Sequence, residues 1–381
     1  MQANITYPFL ELDKVNAPYI NDIKSAINRV VESGRYVGGP EVEQVEATIA
    51  KLTRVPHVVA VSNGLDALRL ILRAYVVMGQ LSEGDEVIVP ANTYVASVLA
   101  IADAGLRPVP VDPNPITHNI DAEGVESHVT PRTKAIMPVH LYGRVCWSRE
   151  LAEIIQRHNL IVVEDNAQAI GAKSPAEGLF GTYVAGGLGH AAGFSFYPTK
   201  NIGALGDAGA VATHDKEIAD TVRALANYGS YRRYHNVYAG FNCRMDPVQA
   251  AVLNVKIEHT DDENAARFAR AVAYDNTIDN PLVIKPLMTA HVTDCVWHQY
   301  VIRIPQHRDA MQRFLASRGV ATDIHYPTPP HRQPCFSETL GGLKLPVAEM
   351  LAEEVLSLPI SPATSVKDAS DIARIINEFK P

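Results

Sequence analysis

From residue 58 onward, short runs of consecutive apolar residues alternate with stretches whose apolar positions recur at helical spacing. Residues 58–61 read as a strand, and residues 65–78 as an amphipathic helix carrying Leu65, Leu68, Leu70, Leu72 and Tyr75. The pattern then predicts strands at 87–90, 108–111, 135–141, 160–163, 194–197 and 209–213, with helices at 94–104 and 149–158. Runs that are apolar throughout suit strands covered on both faces, and the intervening helices supply crossovers. The prediction is an α/β fold with a large, mainly parallel sheet sandwiched between helical layers. In such sheets functional side chains gather beyond the carboxyl ends of the strands.

The pattern changes after Arg244. Residues 246–275 read as a long, mostly helical passage, followed by a strand at 300–304, a helix at 308–317, a strand at 320–325 and closing helices. The expected division is a large α/β domain over residues 1–250, including an N-terminal helix at 18–33, and a linking helix with a smaller C-terminal α+β domain over 251–381.

Composition narrows the function classes. The chain has 381 residues, 47% of them hydrophobic and 20% charged, enough to bury a full core. Its formal net charge of −8 argues against nucleic-acid binding, which demands a basic face. Neither a membrane span nor an export signal is expected, since no long uncharged apolar window occurs and the first twenty residues lack a basic stretch before an apolar run. Cys146, Cys243, Cys295 and Cys335 are widely spaced, which suggests neither a metal site nor a disulfide framework and points to a cytoplasmic protein.

Several segments carry candidate chemistry. An apolar strand ends in Glu164-Asp165, with Gln168 three residues later, so a carboxylate reaches the functional edge of the sheet or, more simply, caps the next helix. Lys200 follows another apolar strand among small and aromatic residues. Partial desolvation there favours the neutral amine that Schiff-base chemistry needs; the plainer reading is a loop lysine. Ser62-Asn63-Gly64-Leu65 leads from a strand into a helix, leaving backbone amides free to bind an anion, or forming an ordinary turn. Ser195 sits five residues before Lys200 and offers a further phosphate donor. Glycines at 187, 189 and 193 precede a strand rather than joining a strand to a helix, the wrong context for a dinucleotide site. Residues 231–244 interleave bases with aromatics, a composition suited to a nucleotide-linked small molecule or to a solvated loop.

An anion-binding helix start, a strand-end carboxylate and a desolvated lysine in one domain are what pyridoxal 5′-phosphate (PLP) requires. The sequence resembles the fold-type-I sugar aminotransferases of the DegT/StrS family across nearly its whole length. The matching stretches are 34–41, 62–64, 90–94, 139–143, 164–168, 194–200, 242–244 with Gln249, 325–327 and 331–334. The resemblance implies that Tyr94 stacks on the cofactor ring, Asp165 pairs with its nitrogen, and Gln168 approaches its hydroxyl. It further implies that Lys200 links to the aldehyde and moves the proton, while Ser62, Asn63, Gly64, Leu65 and Ser195 surround the phosphate. Asn242 is expected to reach the phosphate of a neighbouring subunit, making a homodimer part of the site. Tyr36, Arg244, His325 and Tyr326 are expected at the substrate.

Two departures stand out: Leu65 where a Thr or Ser hydroxyl is frequent in the family, and Gly206-Asp207-Ala208-Gly209 where Gly-Glu-Gly-Gly is. The implied reaction moves an amino group from L-glutamate to a nucleotide-linked keto-sugar, with a dTDP-3-keto-6-deoxyhexose ahead of a 4-keto sugar or a cyclitol. Family dehydratases carry His in place of Lys200, so the lysine favours transfer. A PLP-binding regulator without transferase activity is the alternative of another class.

Overall fold

The computed structural model describes residues 5–289 and 291–381; the first four residues of the stretch read for an export signal lie outside them. Seven strands, β1 (His57–Val61), β2 (Glu86–Pro90), β3 (Arg107–Val111), β4 (Thr133–Ile136), β5 (Ile161–Asp165), β6 (Ala191–Ser195) and β7 (Gly209–Thr213), form one sheet ordered β1-β7-β6-β5-β4-β2-β3. Strands β3, β2, β4, β5 and β6 pair in parallel, whereas β7 is antiparallel to both β6 and β1. The mainly parallel sheet is therefore present. The reversal at β7 lies outside what an apolar run conveys, because such a run has no direction.

Local chemistry sets the helices that lead from these strands. Helix Gly64–Val77 starts where the Asn63 side chain accepts the Asp66 amide at 2.8 Å, and it buries Leu68, Ile71, Leu72 and Tyr75 against the sheet. Helix Arg149–His158 is capped by Ser148 and ends at Asn159 in the left-handed conformation. Helix Pro40–Thr53 was not anticipated, although its signals are visible: Pro40 in the first turn, then Val42, Val45 and Ile49 at helical spacing, all buried. It packs on helix Pro247–Lys256.

Residues 230–236 form the short hairpin of β8 (Ser230–Arg232) and β9 (His235–Asn236). A second core follows, built on the antiparallel pair β10 (Tyr300–Arg303) and β11 (Val355–Leu358) and on helices Thr260–Thr277, Arg308–Ser317 and Val366–Asn377. Tyr7 packs against this core and bridges Val320, so the start of the described chain lies beside a segment more than three hundred residues later. The strand expected at 320–325 is absent. Val320 bridges Tyr7 and Asp323 bridges Ser357, two isolated contacts with different partners, and no common ladder forms.

The carboxyl end of β5 separates its two acids. Successive strand residues project to opposite faces. Glu164 is fully buried and accepts the Gly186 and Gly189 amides and His140 Nε2, each at 2.8 Å. The Cys146 amide donates to His140 Nδ1 at 3.0 Å, which puts the ring proton on Nε2, facing Glu164. The glycines near 187 are a packing device: a Cβ on Gly189 would lie 2.5 Å from Val162 Cγ1.

Replacing Glu164 by Leu would leave two amides and an imidazole N–H unpaired in the core. Urea unfolding should show a loss of about 3–5 kcal/mol.

Candidate active site

A cavity of about 600 Å³ opens beyond the carboxyl ends of β5 and β6, at the start of helices Gly64–Val77 and Val95–Asp103. Asp165, the last residue of β5 and 6% exposed, lines it. Ser97 Oγ donates to Asp165 Oδ2 at 2.7 Å, with Thr93 Oγ1 2.8 Å from that serine, and the Ala167 amide donates to Oδ1 at 3.2 Å. Both carboxylate oxygens are thus oriented before any ligand arrives.

Lys200, half-buried, lines the same cavity on the turn after β6. Burial pushes its amine down to about 8, with the charge of Asp165 opposing. Beside it, Ser195 packs directly on the start of helix Gly64–Val77: a Cβ on Gly64 would lie 2.6 Å from Ser195 Cβ and 3.1 Å from its Oγ. The first amides of a helix have no intrahelical partner, and the Asn63 side chain satisfies that of Asp66. The Gly64 and Leu65 amides are left, next to the Ser195 hydroxyl, as an anion-binding corner. The Leu65 side chain packs on the core, so only its backbone serves here.

The opposite wall comes from Gln168, Tyr94, His325 and Tyr326. Gln168 accepts the Tyr142 amide at 2.6 Å and donates to the Tyr326 hydroxyl at 3.0 Å. The Tyr94 and Tyr326 rings lie 5.2 Å apart at 42°. The Tyr142 hydroxyl donates to the His325 carbonyl, and His325 Nδ1 sits 2.8 Å from Ser357 Oγ on β11. Burial pushes the His325 imidazole down, and Lys200 adds to this while Asp323 opposes it.

Four of the expected residues stand elsewhere. The Ser62 hydroxyl is bonded to the Asp66 carboxylate, so it braces the helix start rather than facing the cavity. Tyr36 is exposed, its hydroxyl 3.1 Å from the Val31 carbonyl, and Asn242 is exposed. Arg244 bonds Asn227 Oδ1 at 2.8 Å and lines a separate groove of about 560 Å³ with Val37 and Tyr231. Sequence reasoning passed over Thr93, Ser97, Thr199, His298 and Gln299, which line or support the cavity. Ser97 had a signal, since a spacing of three from Tyr94 puts both on one face of the helix start. His298 had none. Asp207, noted only as a departure, also lines the cavity.

These residues fit PLP. A fixed carboxylate suits the pyridine nitrogen, two amides and a hydroxyl suit the phosphate, and an amine that is readily neutral suits the aldehyde. Among the described residues, no group of three or more His, Cys, Asp or Glu is placed to hold a metal ion, and no helix is long and apolar enough to cross a membrane.

Comparison with known proteins gives the same class. The profile of the DegT/DnrJ/EryC1/StrS aminotransferase family matches residues 19–377, and the chain belongs to this family of PLP-dependent aminotransferases. It is 44% identical to the dTDP-3-amino-3,6-dideoxy-alpha-D-galactopyranose transaminase of Aneurinibacillus thermoaerophilus, over 98% of this chain and 99% of that protein. It is 46% identical to the erythromycin biosynthesis sensory transduction protein EryC1 of Saccharopolyspora erythraea, over 96% of each. Among solved structures, Streptomyces venezuelae DesV in complex with a ketimine intermediate superposes with a TM-score of 0.91 at 41% identity, covering 99% of this chain and 98% of that one.

With its amine down to about 8, Lys200 should be half neutral near that pH, whereas an ordinary lysine reaches that point at about 10.4. Reductive methylation of cofactor-free protein, followed by peptide mass spectrometry, should show Lys200 labelling level off above about pH 8 while other lysines still rise.

Proposed function

We propose that this aminotransferase moves the amino group of L-glutamate to the ketone of a dTDP-3-keto-6-deoxyhexose, giving 2-oxoglutarate and a 3-amino sugar. The observation that carries the proposal is that the Lys200 amine and the fixed Asp165 carboxylate share one cavity. The 3-keto acceptor is supported by the A. thermoaerophilus relative, whose name puts the amine at that carbon.

PLP supplies the aldehyde carbon and the electron-accepting ring that carry nitrogen from donor to acceptor. Asp165 keeps a proton on the ring nitrogen, held in place by Ser97 and the Ala167 amide. Tyr94 would cover the ring, and Gln168, oriented by the Tyr142 amide, would meet its hydroxyl. The Gly64 and Leu65 amides and the Ser195 hydroxyl would take the phosphate, and Asn63 and Ser62, both bonded to Asp66, hold the turn that presents them. Lys200 Nζ removes the proton from the α-carbon of glutamate and delivers one to the sugar carbon that gains nitrogen. His325 and Tyr326, brought from the smaller core, contact the sugar and exclude water.

Tyr36, Asn242 and Arg244 serve the site of a second copy, for which their exposure suits them. The working unit is then a homodimer in which each chain completes its partner's cavity. A reducing, cytoplasmic setting suits the four free cysteines.

The purified protein should show a visible band that glutamate shifts, followed by amination of the dTDP-3-keto sugar. Lys200→Ala should abolish the shift and cut turnover by roughly 10²–10⁴-fold with the fold retained. A cofactor band that glutamate leaves unchanged would make the chain a PLP-binding regulator, and amination only of 4-keto sugars or cyclitols would move the acceptor.

Mixing Lys200→Ala with Asn242→Ala chains tests the shared site. Random heterodimers carry one intact site, so activity should return to roughly a quarter of wild type, against near zero for either variant alone.

A further inference from the structure

A chain of side-chain amides running from the backbone to the cavity fixes the protonation of one buried histidine. The Ile170 carbonyl accepts Asn264 Nδ2 at 3.0 Å, which turns Asn264 Oδ1 towards Asn201. Asn201 Nδ2 donates both to that oxygen, at 2.9 Å, and to the Val296 carbonyl, at 3.1 Å. A backbone carbonyl only accepts, so neither amide can be reversed without placing oxygen against oxygen. The atom that Asn201 presents to His298 is therefore Oδ1, 3.0 Å from the ring Nδ1. Nδ1 must carry the proton, and Nε2 is left as a bare lone pair on a ring that is 5% exposed and lines the cavity with Lys200. Asn201 is also the residue after Lys200, so one amide braces the turn carrying the amine and sets the tautomer of an imidazole that lines the same cavity.

Burial, aided by neighbouring positive charges, keeps His298 neutral. Burial comes first, then the positive charges of Lys200 and Arg267 and the imidazole of His325, and together they hold His298 well below its ordinary range. Arg267 also donates to the His298 carbonyl at 3.5 Å.

We propose that His298 is a positioning residue for the Lys200 amine: the two line one cavity without a hydrogen bond in this structure, and with pyridoxamine 5′-phosphate bound the Nε2 lone pair accepts a proton of that amine and aims it at the reacting carbon. The proposal rests on Lys200 being the reactive amine. It has a definite electrostatic sign. A neutral acceptor stabilises the ammonium form of Lys200, so deleting it lowers the pH at which Lys200 titrates, whereas deleting a cationic imidazole would raise it.

The test uses full-length protein loaded with pyridoxamine 5′-phosphate, the form in which Lys200 is free. In protein labelled with ¹⁵N-histidine, the resonance missing from His298→Gln should show a protonated Nδ1 and an unprotonated Nε2 at neutral pH. An imidazolium, or a proton on Nε2, overturns the proposal. In single turnovers of this form with 2-oxoglutarate, His298→Leu should slow proton transfer roughly tenfold, the worth of one hydrogen bond to a charged group, and shift the Lys200-dependent limb down by about one pH unit, with the apparent Kd for 2-oxoglutarate within about twofold. His298→Gln, whose amide oxygen still accepts, should recover most of the rate. An unshifted or raised limb in His298→Leu, or a folded His298→Gln variant as slow as His298→Leu, counts against it. Failure of the Lys200 assignment would show separately, as a Lys200→Ala protein that keeps the visible band and its response to glutamate.

Discussion

Asp165 is held at both oxygens at the end of a central parallel strand, and the rest of the site is arranged around that carboxylate. Ser97 and the Ala167 amide fix its direction, while the next residue back, Glu164, turns to the other face and locks the glycine-rich segment behind the sheet. A strand can place two adjacent acids in opposed roles because its side chains alternate. One acid then stabilises the scaffold and the other serves the cavity.

The amine faces the opposite constraint. Lys200 must be buried enough to lose its proton readily, yet remain close to a carboxylate that favours the charged form. Burial prevails, and the amine settles at about 8. The imidazole of His298 supplies an acceptor in the same space without adding positive charge, and its tautomer is set by two side-chain amides anchored on two backbone carbonyls rather than by solvent. The site depends on the second core for this, since His298, His325 and Tyr326 all come from residues beyond 290.

Outside the cavity, a different surface carries residues of the same expected constellation. Tyr36 and Asn242 are exposed, Arg244 lines its own groove, and Val31, Val37, Tyr228, Tyr231 and Tyr234 lie exposed in the same two chain regions. The homodimer proposed above would give both the apolar exposure and these polar groups a use.

Much of this was legible in the sequence because it depends on local order. Apolar runs and helical spacing located every strand of the large sheet, and strand-end placement singled out Asp165, Gln168, Lys200 and the turn at Asn63–Gly64. Ser97 and helix Pro40–Thr53 were also encoded locally, by a spacing of three and by a proline followed by a helical stripe. Other features hold no local trace. The reversal of β7, the separate contacts that replace a strand at 320–325, and the arrival of His298 against Asn201 each depend on residues distant in the chain. Periodicity reports which face of an element is dry. Which groups meet there, and which of them keep a proton, is set by packing and by hydrogen-bond partners that only the folded chain brings together.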